Sequence, residues 1–389
     1  MLPSGWEKQA IGKLCQSIVP GRNKPKSFDG HIPWITTPEI QGRYIPSEVQ
    51  KNYVSLDAIK ESGAKIVPVG SVIISAVGEL GLTAIAKEEI VLNQQLHAFV
   101  CPDYICNEYL AYWLSTQKAY MDSVASKTTI PYMNKANCES IPVAYPPLPE
   151  QQKIAQILST WDKAIQKLEA LIASKQKRKK ALMQQLLTGN KRFAGFEGEW
   201  RPTFLGKVAD IVMGSSPKSE AYNEIGEGLP LLQGNTDIKN RLSAPRIYTT
   251  EITKECSPGD ILLSVRAPVG AIALSLHTAC IGRGIAGLKA KHGFCQGFLY
   301  QWLIFFEPKW DRLSQGSTFE SVNSADIKNL HVFLPVDIKE QHKIASVFTT
   351  ADTEIQTHQK QLFALKEQKK GLMQQLLTGK IRVKLDKES

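Results

Sequence analysis

The chain has 389 residues, of which 43% are apolar, so it can form two or three domains with ordinary cores and is not a typical disordered protein. Its formal net charge of +10 favours a polyanionic partner such as nucleic acid, although many basic proteins bind nothing specific. No apolar stretch reaches the length of a membrane span, and the first ten residues lack the apolar core of a signal peptide.

The cysteine pattern and the missing motifs limit the chemistry of the chain. Its seven cysteines are scattered and never spaced as Cys-x-x-Cys, which predicts thiols in a reducing, cytoplasmic compartment rather than disulfides or a zinc site. The histidines never fall at metal-ligand spacing. A Gly-rich cofactor loop, a phosphate-binding loop and an adenine-methyltransferase motif are also missing. We therefore expect no cofactor, no metal and no catalytic residue.

Residues 1–146 are predicted to form a first globular domain with mixed α/β structure. A Gly/Pro turn signal lies at 20–26, and residues 67–78 are typical of a turn that leads into a buried strand. Residues 108–123 carry apolar side chains at helical spacing. Prolines between 142 and 149 end the domain, because proline disrupts a helix interior but is tolerated in the first helical turn.

Residues 147–189 are predicted to form one long helix. Apolar residues recur at alternating spacings of four and three, which is the a/d pattern of a coiled coil. A helix of this length would be roughly 55–60 Å long, and so narrow an apolar stripe requires a partner helix. The predicted seam consists of Ile154, Leu158, Trp161, Ile165, Leu168, Ile172, Leu182 and Leu186.

A basic cluster lies in the middle of this helix and consists of Lys175, Lys177, Arg178, Lys179 and Lys180. Two interpretations are open. Lys175 and Lys179 continue the seam spacing, so their aliphatic stems can pack on a partner helix while their charges reach water. Alternatively, the cluster lies over DNA and contacts phosphates without reading bases. A solvated helix face is the commoner outcome for such runs.

Residues 190–336 are predicted to form a short linker and a second globular domain. This domain repeats the first one weakly: residues 258–264 resemble residues 69–75, and Asn323 matches Asn134. The two domains are much less alike than the helices that follow them. This difference indicates a shared scaffold with two different binding surfaces.

Residues 337–380 repeat the long helix at a shift of 190 positions, and residues 381–389 form a tail. The octapeptide LMQQLLTG occurs at 182–189 and again at 372–379, and both copies end in a glycine, which favours a left-handed helix cap. The second seam keeps the same phase and consists of Ile344, Phe348, Ile355, Leu362, Leu365, Leu372 and Leu376.

The order domain, helix, domain, helix predicts an internal pseudo-two-fold repeat. The fold class is α/β (α+β): two globular domains separated by two long antiparallel helices that form a coiled coil. We expect the domains to lie at opposite ends of the helix pair. Successive turns of B-DNA are about 34–36 Å apart, so these dimensions suit a bipartite DNA site.

Several motifs identify a family resemblance that covers the whole chain. They are PLPEQQKIA at 147–155, the two LMQQLLTG endings, and the linker KRFAGF at 191–196. With these motifs the chain resembles the specificity subunit of Type I restriction–modification systems. One departure is that PEQQ at 149–152 becomes KEQH at 339–342, which slightly weakens the second helix start.

The resemblance implies a sequence-specific, non-catalytic DNA-binding subunit. Its two target recognition domains would each read half of an asymmetric bipartite site, and its helices would fix the spacing of the half-sites. The implied partners are double-stranded DNA, two methyltransferase (modification) subunits and restriction/motor subunits. Two alternatives remain open: a fused DNA methyltransferase or nuclease, and a coiled-coil interaction protein that does not bind DNA.

Candidate DNA contacts are basic, amide and hydroxyl side chains in loops, because these groups bind phosphates and base edges. An ordinary solvated loop residue is the competing explanation for each of them. The first domain contributes Arg22, Asn23, Lys24, Lys26, Thr36, Thr37, Gln41, Arg43, Ser126, Lys127 and Thr128. The second domain contributes Ser215, Ser216, Lys218, Gln233, Asn235, Lys239, Arg241, Arg266, Arg283, Gln315 and Ser317.

Overall fold

The structure is a computed structural model that describes residues 2–21, 23–127, 129–310 and 321–385. The chain divides into two compact units, residues 1–168 with 361–389, and residues 169–360. Each unit contains one globular domain and a part of both long helices, so the domains and their helices pack together.

Among the described residues, the globular domain of the first unit contains sheets of five, four and two strands. Its strands among the described residues are β1 (Glu7–Ala10), β2 (Gln16–Ile18), β3 (Ile32–Ile35), β4 (Tyr44–Ile45), β5 (Tyr53–Val54), β6 (Ile66–Val67), β7 (Val72–Ser75), β8 (Thr83–Ala86), β9 (Ile90–Leu92), β10 (Leu96–Val100) and β11 (Pro142–Tyr145). Its short helices are α1 (Ile11–Leu14), α2 (Leu56–Ser62), α3 (Asn107–Ser115), α4 (Lys118–Val124) and α5 (Lys135–Glu139). A five-stranded sheet has the order β2-β10-β7-β8-β4, and a four-stranded sheet has the order β5-β3-β9-β6.

The long helix α6 (Leu148–Leu186) follows, and the second domain then repeats the same plan. Its strands are β12 (Trp200–Phe204), β13 (Ala209–Met213), β14 (Tyr222–Asn223), β15 (Leu229–Leu232), β16 (Ile238–Lys239), β17 (Leu242–Ser243), β18 (Ile247–Thr249), β19 (Glu255–Cys256), β20 (Ile261–Ser264), β21 (Ile272–Leu274), β22 (Ala279–Ile281), β23 (Ile285–Ala290) and β24 (His331–Pro335). Within the described segments its helices are α7 (Leu205–Val208), α8 (Gln296–Phe306), α9 (Ser324–Lys328) and the long α10 (Ile338–Leu377).

The two domains share one topology. The second domain has a six-stranded sheet of order β13-β23-β20-β21-β17-β16, which matches the five-stranded sheet of the first domain strand by strand and adds β16. The weak sequence repeat therefore marks equivalent structure: β7 and β20 are both fully buried central strands. Asn134 and Asn323 are also equivalent, since each caps a short helix by accepting backbone N–H groups.

Residues 108–123, expected to be helical, contain two helices, α3 and α4, rather than a single one. The chain turns at Thr116 and Gln117, where the Thr116 hydroxyl donates to the carbonyl of Trp113 at 2.6 Å. This side-chain hydrogen bond competes with the helical backbone pattern and helps to end α3.

The long helices begin and end close to the predicted residues. Gly189 and Gly379 follow the helix ends and adopt φ values of 74° and 68°, the left-handed conformation predicted for a glycine cap. The helices run antiparallel in both units. In the first unit Lys369 contacts Asp162 at 2.5 Å, and in the second unit Lys179 contacts Asp352 at 2.6 Å.

The seam is buried most completely where the helices also contact a domain. Ile154, Leu158 and Leu376 are buried in the core of the first unit, and Ile344 and Phe348 are buried in the core of the second. Ile165, Ile172, Leu186 and Ile355 are also buried. Two helices alone cover only part of each larger side chain, so other seam residues are half-buried: Trp161, Leu168, Leu182, Leu362, Leu365 and Leu372.

Each helix start is held by an ion pair that occurs in both units. Arg382 donates two hydrogen bonds to the carboxylate of Glu150, both at 2.7 Å, and Arg192 does the same to Glu340 at 2.9 and 2.7 Å. Hydrogen bonding to the carboxylate raises the pKa of both guanidinium groups. The glutamate shared by PEQQ and KEQH therefore anchors each helix start, and the first and last residues of the motif can differ between the two copies.

Candidate nucleic-acid interface

In the first domain, hydrogen bonds join three loops at one end of the main sheet. Asn93 N–H donates to the Ile35 carbonyl at 2.9 Å, at the point where β3 ends. The Thr37 hydroxyl donates to the side chain of Gln95 at 3.1 Å. Ala76 N–H donates to the Gln95 carbonyl at 2.8 Å. We call residues 36–41, 93–95, 126–127 and 129–132, together with Val77, the first loop cluster.

Residues 126–127 and 129–132 join this cluster through backbone contacts. Tyr132 forms isolated bridges with Val77 and with Ser126, and Ser126 N–H donates to the Tyr132 carbonyl at 2.8 Å. The structure therefore brings together the predicted contacts of two separate loops. Thr36 and Thr37 are half-buried, Gln41 and Lys127 are exposed, and Ser126 is half-buried.

The second domain has the equivalent arrangement. Gly282 N–H donates to the Leu232 carbonyl at 2.8 Å, and Val265 N–H donates to the Gly284 carbonyl at 2.9 Å. Arg266 forms an isolated bridge with Ser321. We call residues 214–216, 233–237, 265–266, 282–284 and 321 the second loop cluster.

Predicted contacts from four loops meet in this second loop cluster. Arg283 N–H donates to the Ser216 hydroxyl at 3.2 Å, and Ser215 N–H donates to the Ile281 carbonyl at 2.9 Å. Gln233 packs beside the glycines that flank Arg283. Ser215, Ser216, Gln233, Asn235, Arg266 and Arg283 thus lie in one cluster, where both arginines are exposed.

Both clusters use a carboxylate to fix the loop that follows the buried strand. Glu39 accepts the backbone N–H of Thr36 at 2.7 Å. In the second domain the buried Asp237 accepts the N–H of Gln233 at 2.8 Å and forms an ion pair with Arg246 at 3.1 Å. These carboxylates are structural, because their oxygens accept hydrogen bonds from the loop backbone.

The remaining candidates that the structure describes lie outside the two loop clusters. The turn with Asn23, Lys24 and Lys26 is exposed and lies beside the end of α2, and Lys24 contacts the ring of Phe28. Lys218 is exposed, and its N–H donates to Glu251 at 3.0 Å. Four candidates lie outside the described residues: Arg22, Thr128, Gln315 and Ser317.

Two predicted arginines are held by contacts within their own units. The Arg43 guanidinium lies 3.3 Å from the ring centre of Tyr112 and 3.5 Å from Asp162. Arg241 lies at a two-residue hairpin turn between β16 and β17, next to the exposed Lys239, and bonds to Glu307 at 2.6 Å. Both guanidinium groups thus have partners within the protein.

The basic cluster of α6 divides into two groups. Lys175 forms an ion pair with Glu354 at 2.5 Å, and Lys179 forms one with Asp352. Both lysines are half-buried, which favours the coiled-coil interpretation for these two positions. Lys177, Arg178 and Lys180 are exposed, so they are the members that could contact phosphates.

Sequence reasoning missed Asn93, Gln94 and Gln95. They occupy the positions equivalent to Gly282, Arg283 and Gly284, because Asn93 and Gly282 make the same hydrogen bond to the strand end. Arg283 lies between two glycines that mark a loop, whereas the amides at 93–95 lie in a stretch, residues 87–96, without Gly or Pro. Aligning the domains through β7 and β20 would have revealed them.

All seven cysteines are free thiols. No three His, Cys, Asp or Glu residues in the described segments lie close enough together to hold a metal ion. Among the described helices, none combines the length and the apolar character that a membrane span requires.

Comparison with known proteins identifies relatives of the chain. The family model for the Type I restriction modification DNA specificity domain matches twice, at residues 3–174 and 197–367. A Methanocaldococcus jannaschii protein provisionally named as the type I restriction enzyme MjaX specificity subunit is 37% identical over 65% of this chain and 62% of its own length. The MjaIX specificity subunit of the same organism is 25% identical over 98% of this chain and 95% of its own length.

Solved structures support the same fold. A chain from a study of complex assembly and conformational transition in the type I R-M system has a TM-score of 0.63 and 24% identity, over 98% of this chain and 100% of that one. The S subunit of a Type I restriction–modification system from M. genitalium has a TM-score of 0.65 and 16% identity, over 95% and 96% of the two chains.

Proposed function

The chain belongs to the family of Type I restriction modification DNA specificity domains, which it matches twice, and we propose that it reads a bipartite, asymmetric DNA site. In this proposal each loop cluster contacts one half-site. The observation that carries it is the duplication of one loop framework with different side chains. The same backbone hydrogen bonds hold amide residues in the first loop cluster and arginines in the second.

We assign one role to the two globular domains and another to the two long helices. Residues 1–146 and 190–336 are target recognition domains, the second of them including the linker. Residues 147–189 and 337–380 are the helices that set the distance between half-sites, and residues 381–389 are a tail. The support for a fixed spacing is that both helices are continuous over 39 and 40 residues.

We propose that the chain is non-catalytic and that partners supply the chemistry. Two methyltransferase subunits would modify the site, and restriction/motor subunits would cleave unmodified DNA. The support is that the relatives are named as specificity subunits of restriction enzymes. Free thiols suit the reducing cytoplasm, which is the proposed location.

The proposed DNA contacts are the exposed residues of the loop clusters together with nearby basic side chains. Lys127, Arg266 and Arg283 are exposed cations there. Base edges supply sequence information, whereas phosphate contacts supply affinity that weakens with salt. The turn at Asn23–Lys26, Lys218 and Lys239 are proposed to bind phosphates outside the clusters.

Methylome sequencing after co-expression with the cognate methyltransferase subunits tests this function. We expect methylation at a split asymmetric motif with a spacer of constant length. Methylation at a continuous palindrome would contradict the proposal. Methylation by the purified chain alone would favour the fused enzyme. The assembled complex should also lose DNA affinity steeply as salt rises, and salt-independent behaviour would favour an interaction protein.

A further inference from the structure

The second loop cluster contains two arginines on adjacent strand extensions. The antiparallel register of β20 and β23 continues past the strands, because Val265 N–H donates to the Gly284 carbonyl at 2.9 Å. One residue further, this register places Arg266 opposite Arg283. Both side chains are exposed, and among the described residues neither guanidinium has an ion pair. The cluster therefore presents two neighbouring cationic groups to its ligand.

The equivalent positions of the first loop cluster carry different chemistry. Strands β7 and β10 also continue their register, since Ala76 N–H donates to the Gln95 carbonyl at 2.8 Å. The next residue pair is Val77 and Gln94, of which Gln94 is exposed and Val77 is half-buried. An aliphatic and an amide side chain thus replace the two arginines.

In each loop cluster the backbone around the loop tip, Arg283 in the second cluster and Gln94 in the first, is held in a defined position. A Cβ atom at Gly284 would lie 2.1 Å from the Gln233 carbonyl, so the backbone beside Arg283 requires glycine. In the first cluster, Asn93 instead accepts the N–H of Gln95 at 3.1 Å and donates to its side chain at 3.1 Å. Gln94 lies between these two residues, as Arg283 lies between its glycines. Fixed tips suit base reading, which requires oriented hydrogen bonds.

We infer that these two position pairs determine base specificity. Arg266 and Arg283 read guanine in the half-site of the second domain, because a guanidinium forms two parallel hydrogen bonds to guanine O6 and N7. Gln94 and Val77 read an A·T pair in the other half-site, since an amide pairs with adenine N6 and N7 and an aliphatic group contacts the thymine methyl. This inference rests on the proposed function and adds the class of base that each domain selects.

The alternative is that the arginines bind only phosphates. A phosphate contact requires positive charge but no particular arrangement of donors, so lysine replaces arginine there with little loss of specificity. A lysine can also approach guanine, but it lacks the rigid planar fork with which a guanidinium makes two parallel hydrogen bonds, so its preference for guanine is weaker. The variant Arg283→Lys therefore separates the two cases, because it keeps the charge and removes the bidentate geometry.

The test is methylome sequencing of the full chain co-expressed with its cognate methyltransferase subunits. We expect a guanine in one half of the wild-type motif. In the double variant Arg266→Val/Arg283→Gln, preference for that base should fall on the order of 10- to 100-fold, while the other half stays unchanged. The reciprocal variant Val77→Arg/Gln94→Arg should change only the other half. Arg201→Gln, which removes an exposed arginine from β12, is the charge control and should leave both halves intact.

Other outcomes decide between the inference and the proposed function. If the motif is split but the double variant leaves it unchanged, the base assignment is wrong and the proposed function stands. If no split motif appears, the proposed function itself fails. If the double variant abolishes methylation, Arg283→Lys decides: relaxed preference at the guanine supports the inference, and an unchanged motif overturns it.

Discussion

The two units share the side-chain contacts at the starts of their long helices, but their loop clusters carry different side chains. Gln151 donates to the Pro146 carbonyl and accepts the N–H of Cys106, both at 2.8 Å. Gln341 makes the same two bonds in the second unit, each at 2.9 Å, to Pro335 and Cys295. Glu150 and Glu340 likewise bind equivalent arginines. The loop clusters keep their backbone bonds and change their side chains.

Burial explains this difference. Glu150 and Gln151 are buried, and a buried polar group that loses its partner costs roughly 1–3 kcal/mol, more if it is charged. Arg283 is exposed, so water satisfies its side chain and a substitution there costs little stability. The contacts at the helix starts can therefore stay the same in both units, while the side chains of the loop clusters differ and bind different ligands.

The largest expected effect comes from the buried seam. Phe348 is fully buried between α10 and the second domain, and Phe348→Ala should lower the free energy of unfolding by about 3–5 kcal/mol. Leu158 occupies the equivalent position in the first unit, where Leu158→Ala should cost about 2–5 kcal/mol. Urea unfolding measures both. Phe363 on the same helix is 69% exposed, so Phe363→Ala is the control and should stay within about 0.5 kcal/mol.

If Phe348→Ala and Phe363→Ala have equal effects, α10 does not pack on the second domain as described. If Leu158→Ala costs nothing while Phe348→Ala is costly, the helices pack in only one unit and the repeat is broken.

The second prediction is that the stability of the first domain falls in acid because of a buried histidine that the second domain lacks. Burial lowers the pKa of His97 from 6.5 to about 4, and its ring bonds to the Ser17 hydroxyl at 2.6 Å. Because the pKa of His97 is lower in the folded protein, its imidazole binds a proton more readily in the unfolded chain. The folded state therefore keeps the whole of this stabilisation above pH 6.5 and loses it as the pH falls toward 4. The loss should reach about 3 kcal/mol.

His97→Ala isolates this contribution, because the second domain already has Ala286 at the equivalent place in β23. The variant should be less stable at neutral pH but should lose less additional stability between pH 6.5 and pH 4 than the wild type. Stability curves of equal slope in acid would show that His97 does not titrate on unfolding.

The long helices and their caps could be predicted because regular helices carry a periodic signal. The spacing of apolar residues fixed the seam, and the repeated octapeptide located Gly189 and Gly379. Periodicity could not show how deeply Trp161 or Leu362 is buried, because that depends on whether a third element covers the helix pair. Both side chains are only half-buried.

The loop clusters were less predictable because they are assembled from distant segments. Arg266 and Arg283 could be selected by charge, but their pairing depends on the strand register. Gln94 is an amide, but no Gly or Pro in residues 87–96 marks its loop. The ring that Arg43 stacks on belongs to Tyr112 in another element, and no local sequence pattern indicates this contact.

Asp162 and Asp352 occupy the same position in the repeat but have different neighbours. Asp162 accepts hydrogen bonds from Lys369 and from the Tyr112 hydroxyl, both at 2.5 Å, and lies 3.5 Å from Arg43. Burial and this hydrogen bond raise the pKa of Tyr112, so its hydroxyl stays a donor. Asp352 accepts from Lys179 at 2.6 Å and from the Gln301 amide at 3.0 Å. Asp162 thus has a lysine and Arg43 within 3.5 Å, whereas Asp352 has a lysine in contact and Arg241 only at longer range, because Arg241 bonds to Glu307.

This difference gives the smallest predicted effect. Asp162→Asn should lower the free energy of unfolding by about 1–2 kcal/mol, because it weakens the attraction to both Lys369 and Arg43. Asp352→Asn loses the ion pair with Lys179 and a weaker, longer-range attraction to Arg241, and it should cost about 0.5–1 kcal/mol. Urea unfolding of both variants measures the difference, and the double variant Asp162→Asn/Arg43→Met should cost less than the sum of its single changes. Equal losses for the two aspartates would mean that Arg43 adds nothing to the helix frame, and its side chain would then be available as a DNA contact.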